Sequence, residues 1–314
     1  MTSYKFPEVP VSVAAPPRTV VTVASGDLRL SANVKCWPVQ EQLEADLARA
    51  VESFGWSVVR GHGFDEAAGH GFIDSQRKGL DVFATLPPDA PLIVVEAVWQ
   101  YSHHVLAGLR THQGPILVVA NWNGTFPGLV GLLNLTASLT KAGIEYSALW
   151  SVDFTDAWAL DGLRTWLETG RLVHDVSHVH DLPVLDQSVE EVALGRALAE
   201  QLRREKAIIG VFDEGCMGMY NAIFDDELLN PLGIYKERLS QSALVAEMGR
   251  VSDDEAAAVK AWLDEAGLRF DFGVDEENEL TPAQVTSQLK MYVAALRIAD
   301  DFGLDAVGIQ YQQG

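Results

Sequence analysis

Five short, largely apolar segments, each followed by a segment with helical periodicity, constrain the fold of this chain more than any other feature. The first segment is rich in β-branched residues and ends at a Ser-Gly-Asp turn. Continuous apolar runs of this length are typical of strands buried on both faces of a parallel sheet. The first half is therefore predicted to form a doubly wound α/β domain that binds ligands beyond the carboxyl ends of its strands. The predicted strands are 19–24, 57–60, 92–98, 116–120 and 146–150, and the predicted helices are 40–54, 65–83, 101–109, 129–142 and 157–169.

The second half repeats this alternation with fewer strands. A stretch rich in His and Asp, residues 170–186, separates the two halves. We predict an N-terminal Rossmann- or flavodoxin-like domain over 1–172 and a second α/β domain over 173–314. The second is expected to be incomplete, because the chain ends just after its last predicted strand. Its predicted helices are 190–205, 225–229, 253–266 and 282–302, the last two with Ser252 and Thr281 as N-caps, and its predicted strands are 207–212, 234–239 and 306–311.

The composition argues against some classes of binding partner. The net charge of −21 argues against binding to nucleic acid or to an anionic membrane surface. No apolar run reaches the roughly 20 residues that a membrane-spanning helix needs, and the first 17 residues do not resemble a signal peptide. Two distant cysteines, Cys36 and Cys216, make a poor disulfide framework. A cytoplasmic protein acting on a small molecule is expected.

Three polar motifs follow predicted strands, where a doubly wound sheet places its ligand. Residues 25–29, Ser-Gly-Asp-Leu-Arg, offer Asp27 and Arg29 to sugar hydroxyls or an anion, although a tight turn with a solvated charge pair is the alternative. Trp99 could line the apolar face of a sugar or belong to the core. Asn121 opens an Asn-Trp-Asn-Gly turn, which either exposes amides at a helix N-terminus or is a plain turn.

Two further clusters hold side chains that could bind a metal ion or transfer a proton. Residues 174–181 hold three His and two Asp, which suit a divalent metal, but a polar hinge is the stronger interpretation because no HExxH motif is present. Asp213 and Glu214 follow a predicted strand and could act as acid and base or as metal ligands. The alternative is a glycine-bearing turn between strand and helix.

Several local stretches of the sequence point to a protein family as well as to a fold class. Residues 121–135, Asn-Trp-Asn-Gly-Thr-Phe-Pro-Gly-Leu-Val-Gly-Leu-Leu-Asn-Leu, resemble a stretch of the L-fucose isomerase and L-arabinose isomerase-like proteins. Residues 216–226, 233–238 and 308–314 resemble other stretches of the same family. The resemblance spans most of the chain and implies the N-terminal two domains of such an enzyme, without the C-terminal domain of the family.

The resemblance implies a metal-dependent aldose–ketose isomerase that moves a proton through a cis-enediol. It implies L-fucose, L-arabinose or a C6-modified hexose such as sulfoquinovose as substrate, with Arg29 and Lys35 available to an anionic C6 group. It further implies a homo-oligomer, commonly a hexamer, with active sites between subunits. The substrate-binding residues carried over are Arg29, Trp99, Asn121 and Gln312.

The resemblance also implies Mn²⁺, or Mg²⁺, held by a Glu, an Asp and a His. In the family these ligands lie downstream of the position matched by the last strand of this chain. No catalytic and no metal-binding residue is therefore assigned here, and the chain alone is expected to be inactive as an isomerase. The alternative is a non-catalytic sugar-binding or regulatory α/β protein, and a third possibility is an unrelated flavodoxin-like binding domain.

Overall fold

The computed structural model describes residues 14–122, 124, 128–181, 188–214, 218–275 and 279–309. The chain divides into two compact units. The first unit comprises Met1–Asp181 together with Cys216–Ala222, and the second comprises Leu182–Gly215 and Ile223–Gly314. The first unit thus extends beyond the predicted boundary after residue 172 and takes in a short segment from much later in the chain.

The first unit is built on a five-stranded, fully parallel sheet with the strand order β2-β1-β3-β4-β5. This arrangement confirms the predicted parallel α/β architecture. The strands are β1 (Thr19–Val23), β2 (Ser57–Arg60), β3 (Leu92–Glu96), β4 (Ile116–Asn121) and β5 (Ser147–Ser151), and the helices are α1 (Leu30–Ser53), α2 (Gln76–Phe83), α3 (His103–Thr111), α4 (Gly128–Ala142) and α5 (Ala157–Thr169).

Alternate residues of the central strands enter two separate hydrophobic cores. Val20 and Ile93 pack with residues of α1 and α5 on one face of the sheet. Val21 and Val94 pack with residues of α3 and α4 on the other face. Both faces are therefore covered, which explains why these strands appear as unbroken apolar runs and not as alternating ones.

Two helices of the first unit begin about ten residues away from their predicted starts. Helix α1 begins at Leu30, ten residues earlier than predicted, and carries Pro38 in its interior. Pro38 and Val34 both lie on the exposed side of the helix, where water can reach the carbonyl that the proline leaves without an amide partner. Helix α2 begins only at Gln76, because the Asp65 carboxylate accepts hydrogen bonds from the amides of Ala67 and Ala68 and stabilises a turn there.

The second unit contains a three-stranded parallel sheet with the order β7-β6-β8. Its core includes Phe212, Leu244 and Ile298. The predicted N-caps Ser252 and Thr281 are confirmed, each within a capping box. The elements are α6 (Val189–Glu205), β6 (Ala207–Phe212), α7 (Asp226–Leu229), β7 (Ile234–Leu239), α8 (Gln241–Met248), α9 (Asp253–Glu265), α10 (Pro282–Phe302) and β8 (Ala306–Ile309), of which α8 is not predicted by the sequence.

In the part of the chain that the structure describes, no helix combines the length and apolar character needed to cross a membrane.

Candidate functional site

The loops that follow β1 and β3 meet at the carboxyl edge of the five-stranded sheet. β1 and β3 are neighbours, while the chain passes from β1 to the opposite edge strand β2 before it returns to β3. Such a reversal of strand order opens the crevice in which doubly wound proteins bind ligands. Here the Tyr101 amide donates to the Gly26 carbonyl at 3.0 Å, and the Ser25 hydroxyl donates to the Tyr101 carbonyl at 3.2 Å. The two loops are thus held together as one surface.

Asp27 and Arg29 form a fixed ion pair on this surface. The Asp27 carboxylate, only 1% exposed, accepts hydrogen bonds from Nε of Arg29 at 3.0 Å and from Nη2 at 2.7 Å, while the Arg29 side chain is 60% exposed. Burial alone would raise the pKa of Asp27, but the hydrogen bonds and charge of Arg29 lower it on balance. The Asn33 side chain brackets the Asp27 backbone, accepting from its amide and donating to its carbonyl, both at 2.8 Å.

The amides of the β1 loop are already engaged within the protein. Gly26 donates to the Ile73 carbonyl, Asp27 to Asn33 and Arg29 to the Asp27 carboxylate. A loop that cradles a phosphate presents such amides to the ligand, as the N-terminal amides of a helix do. This loop instead presents an ion pair with no net charge, which suits a neutral polar ligand better than a phosphate group.

A second set of polar side chains, those of Glu96 and Asn121, lies at the ends of β3 and β4. Glu96 is fully buried at the end of β3, and Asn121 is 3% exposed at the end of β4. Among the described residues, neither carboxyl oxygen of Glu96 and neither polar atom of the Asn121 side chain has a hydrogen-bond partner. Each such buried atom costs roughly 1–3 kcal/mol, so their concentration at one edge calls for a functional explanation.

Helix α4 packs closely over this group. A Cβ atom added at Gly128 would overlap the Asn121 side chain, and one added at Gly131 would lie 3.5 Å from Oε2 of Glu96. Burial raises the pKa of Glu96 well above its ordinary value. Burial thus favours the protonated form of Glu96, which offers one hydroxyl donor and one carbonyl acceptor.

Other buried amide side chains complete the polar edge. Gln40 on α1 donates to the Val95 carbonyl and accepts from the Ala97 amide, both at 3.0 Å, and so fixes the end of β3. Asn134 on α4 donates to the Gln100 carbonyl at 2.7 Å. These residues are not predicted from the sequence. The available signal was an amide side chain with mostly apolar neighbours at helical spacing, such as Trp37 and Leu43 around Gln40.

The other residues implied by the resemblance have different surroundings. Trp99 is half-buried and packs on a small core cluster that contains Phe72 and Val98. Its packing is that of a core side chain, and contact with a sugar stays a prediction. Gln312 lies outside the described residues, as does Cys216. Cys36 is a buried free thiol whose pKa is raised by burial.

His174 and Glu214, one from each of the two remaining clusters, contact neighbouring residues of the fold. The His174 ring stacks on Trp158 with centroids 5.5 Å apart, and its Nε2 lies 2.7 Å from the Ala148 carbonyl. Glu214 pairs with Lys236 and, at 2.9 Å, with Nε of Arg238. Hydrogen bonding from Lys236 is the main cause that lowers the pKa of Glu214, with burial opposing it. Glu214 therefore stays ionised and is a poor proton donor.

The described residues do not fit the metal that the resemblance implies. Mn²⁺ or Mg²⁺ requires several carboxylate or imidazole ligands around one point. Within the described ranges, no group of three or more His, Cys, Asp or Glu side chains is placed to hold a metal ion.

Searches of this sequence against models of known protein families and against curated proteins returned no significant match.

Proposed function

We propose that the first unit binds a neutral sugar at the carboxyl edge of its sheet and serves as the sugar-binding part of an aldose–ketose isomerase. The observation that carries the proposal is the set of polar side chains at the ends of β1, β3 and β4. Arg29 offers a donor at the surface, held there by the buried Asp27, and Glu96 and Asn121 hold buried polar atoms without partners among the described residues. Neighbouring hydroxyls of a sugar can both donate and accept and would satisfy such a set.

The charge of these groups supports a neutral ligand. The charges of Asp27 and Arg29 cancel, and burial favours the protonated, neutral form of Glu96. An anionic C6 group, as in sulfoquinovose, would find the charge of Arg29 already neutralised by Asp27. We therefore favour an unmodified aldose such as L-arabinose or L-fucose over a C6-sulfonated hexose.

Isomerisation itself needs more than these residues provide. The reaction takes a proton from C2 and returns it to C1 through a cis-enediol, and a divalent metal ion would supply stabilisation of the negative charge that develops on the sugar. The residues described here bind and orient the sugar. We propose that the Mn²⁺ or Mg²⁺ ligands and the assembled, oligomeric active site are supplied by further protein.

The second candidate is a non-catalytic sugar-binding or regulatory protein, which the same polar edge equally supports. The two candidates differ in turnover. We expect the purified chain with Mn²⁺ to bind an aldose without converting it to the ketose, as followed by ¹³C NMR of labelled sugar. Turnover by this chain alone would show that the metal site and the acid–base groups are contained within it.

Variants at the ion pair test sugar binding directly. We expect Arg29→Gln to weaken the affinity for the bound aldose at least tenfold, because a charge-assisted hydrogen bond contributes about 1.5–3 kcal/mol. Arg29→Lys keeps the charge but loses the two-pronged geometry, and an intermediate loss is expected. The matched control is Arg49→Gln, which removes an exposed arginine of α1 that pairs with Asp46. Calorimetric titration gives each dissociation constant, and equal affinities for wild type and Arg29→Gln would refute this role.

A further inference from the structure

A cavity among the helices of the first unit shares no lining residue with the candidate site at the strand ends. It measures about 570 Å³ and lies among α2, α3, the end of α4 and the turn at Tyr220–Ala222. Its volume is within the range of about 300–1,000 Å³ usual for small-molecule sites. Arg110, Lys141 and His103 line it, and no carboxylate does among the residues that the structure describes. In a chain of net charge −21, a cavity with this lining stands out.

Local contacts hold the cationic groups in place. The Lys141 ammonium lies 5.0 Å from the centroid of the Tyr220 ring, and the His103 ring lies 6.1 Å from the same ring. The Tyr220 amide donates to the Ser102 hydroxyl at 3.2 Å, which fixes the backbone of the turn. One guanidinium nitrogen of Arg110 donates to the Ala142 carbonyl at the end of α4. Lys141 and Arg110 are thus positioned before any ligand arrives, whereas burial lowers the pKa of His103 and favours its neutral form.

Most of the remaining wall of the cavity is apolar, with Gln76 as a polar exception. Leu80 of α2 and Leu106 of α3 contribute the apolar part, and Leu80 is 42% exposed. The lining therefore combines positive charge with an apolar surface large enough for a ring or a short carbon chain.

We propose that this cavity binds a small phosphate monoester, with the phosphate at Arg110 and Lys141 and the organic group against Leu80 and Leu106. An arginine fork and a lysine ammonium are the groups that proteins use most for phosphate oxygens. The site at the strand ends then takes a neutral ligand, whereas this cavity takes an anionic one.

The test uses phenyl phosphate as the probe and phenol as its uncharged counterpart. We expect phenyl phosphate to shift amide resonances of α3 and of the end of α4 in ¹⁵N NMR, with binding that weakens as salt rises. Phenol is expected to bind at least tenfold more weakly. Lys141→Gln and Arg110→Gln are each expected to weaken phenyl phosphate binding about tenfold.

Arg77→Gln is the matched control, because Arg77 is an exposed arginine of α2 that pairs with Asp81 and does not line the cavity. It is expected to bind phenyl phosphate as wild type does. Circular dichroism checks that each variant is folded. Absence of binding, equal binding of phenol, or wild-type affinity in both cavity variants would overturn the proposal.

Discussion

Replacing Glu96 by Gln is expected to stabilise the first unit at neutral and alkaline pH and to flatten its dependence on pH. The folded state keeps Glu96 protonated, since burial raises its pKa, whereas the unfolded chain ionises it near the ordinary value of about 4.3. Above that pH the unfolded state binds fewer protons than the folded state. The free energy of unfolding therefore falls as pH rises, by up to ~1.4 kcal/mol per pH unit, until pH passes the raised pKa.

The Gln side chain removes this dependence because it cannot ionise and has nearly the same shape. We expect wild type and Glu96→Gln to be similar in stability near pH 4 and to diverge steadily above it, with the variant more stable. Denaturant unfolding followed by tryptophan fluorescence is suitable, since seven of the eight tryptophans lie in the first unit. The control is Glu52→Gln, which changes an exposed carboxylate of α1. Parallel pH profiles for wild type and Glu96→Gln would contradict a buried neutral acid.

Gly131→Ala is expected to destabilise the first unit by about 1–3 kcal/mol, as overpacking usually does. Its Cβ would overlap the Val98 carbonyl oxygen, a backbone atom that cannot rotate aside. The small gain in helix propensity from alanine offsets only part of this cost. Because Val98 begins the loop that carries Trp99 and Gln100, sugar affinity should fall as well.

Gly195→Ala in α6 is the matched control for the same chemical change. No heavy atom outside its own helical turn lies within 4 Å of a Cβ added there. We therefore expect this variant to be more stable by roughly 0.5–1 kcal/mol, the usual advantage of alanine over glycine inside a helix. Circular dichroism melting compares the two variants with wild type. A stable Gly131→Ala protein would mean that α4 does not pack so closely on the β3 loop.

The sequence predicts the central strands β1, β3 and β4 well, because strands buried on both faces leave largely apolar runs. It predicts helix ends poorly where one local rule is outweighed by tertiary context. Pro38 favours a helix boundary, yet α1 continues through it because the affected turn faces water. Helix α8 carries no such marked pattern, and only Leu244 of its residues is fully buried.

The candidate site could be predicted only in part. Arg29 and Asn121 are identifiable because they follow apolar strands, where parallel sheets place their ligands. The burial of Glu96 could not be predicted, because it depends on the close approach of Gly128 and Gly131 from a helix more than thirty residues away. Gln40 is likewise explained only by its bonds to Val95 and Ala97, far along the chain.

The most direct test of the central claim is a ¹⁵N NMR titration of the whole chain with L-arabinose, L-fucose and other neutral aldoses. We expect at least one sugar to shift the amide resonances of residues 26–29, 97–101 and 121 together, leaving the α2–α3–α4 cavity unperturbed. The Arg29→Gln variant should lose these shifts. If no aldose perturbs this edge of the sheet, or if the shifts lie elsewhere and persist in Arg29→Gln, then the first unit is not a sugar-binding unit of this kind.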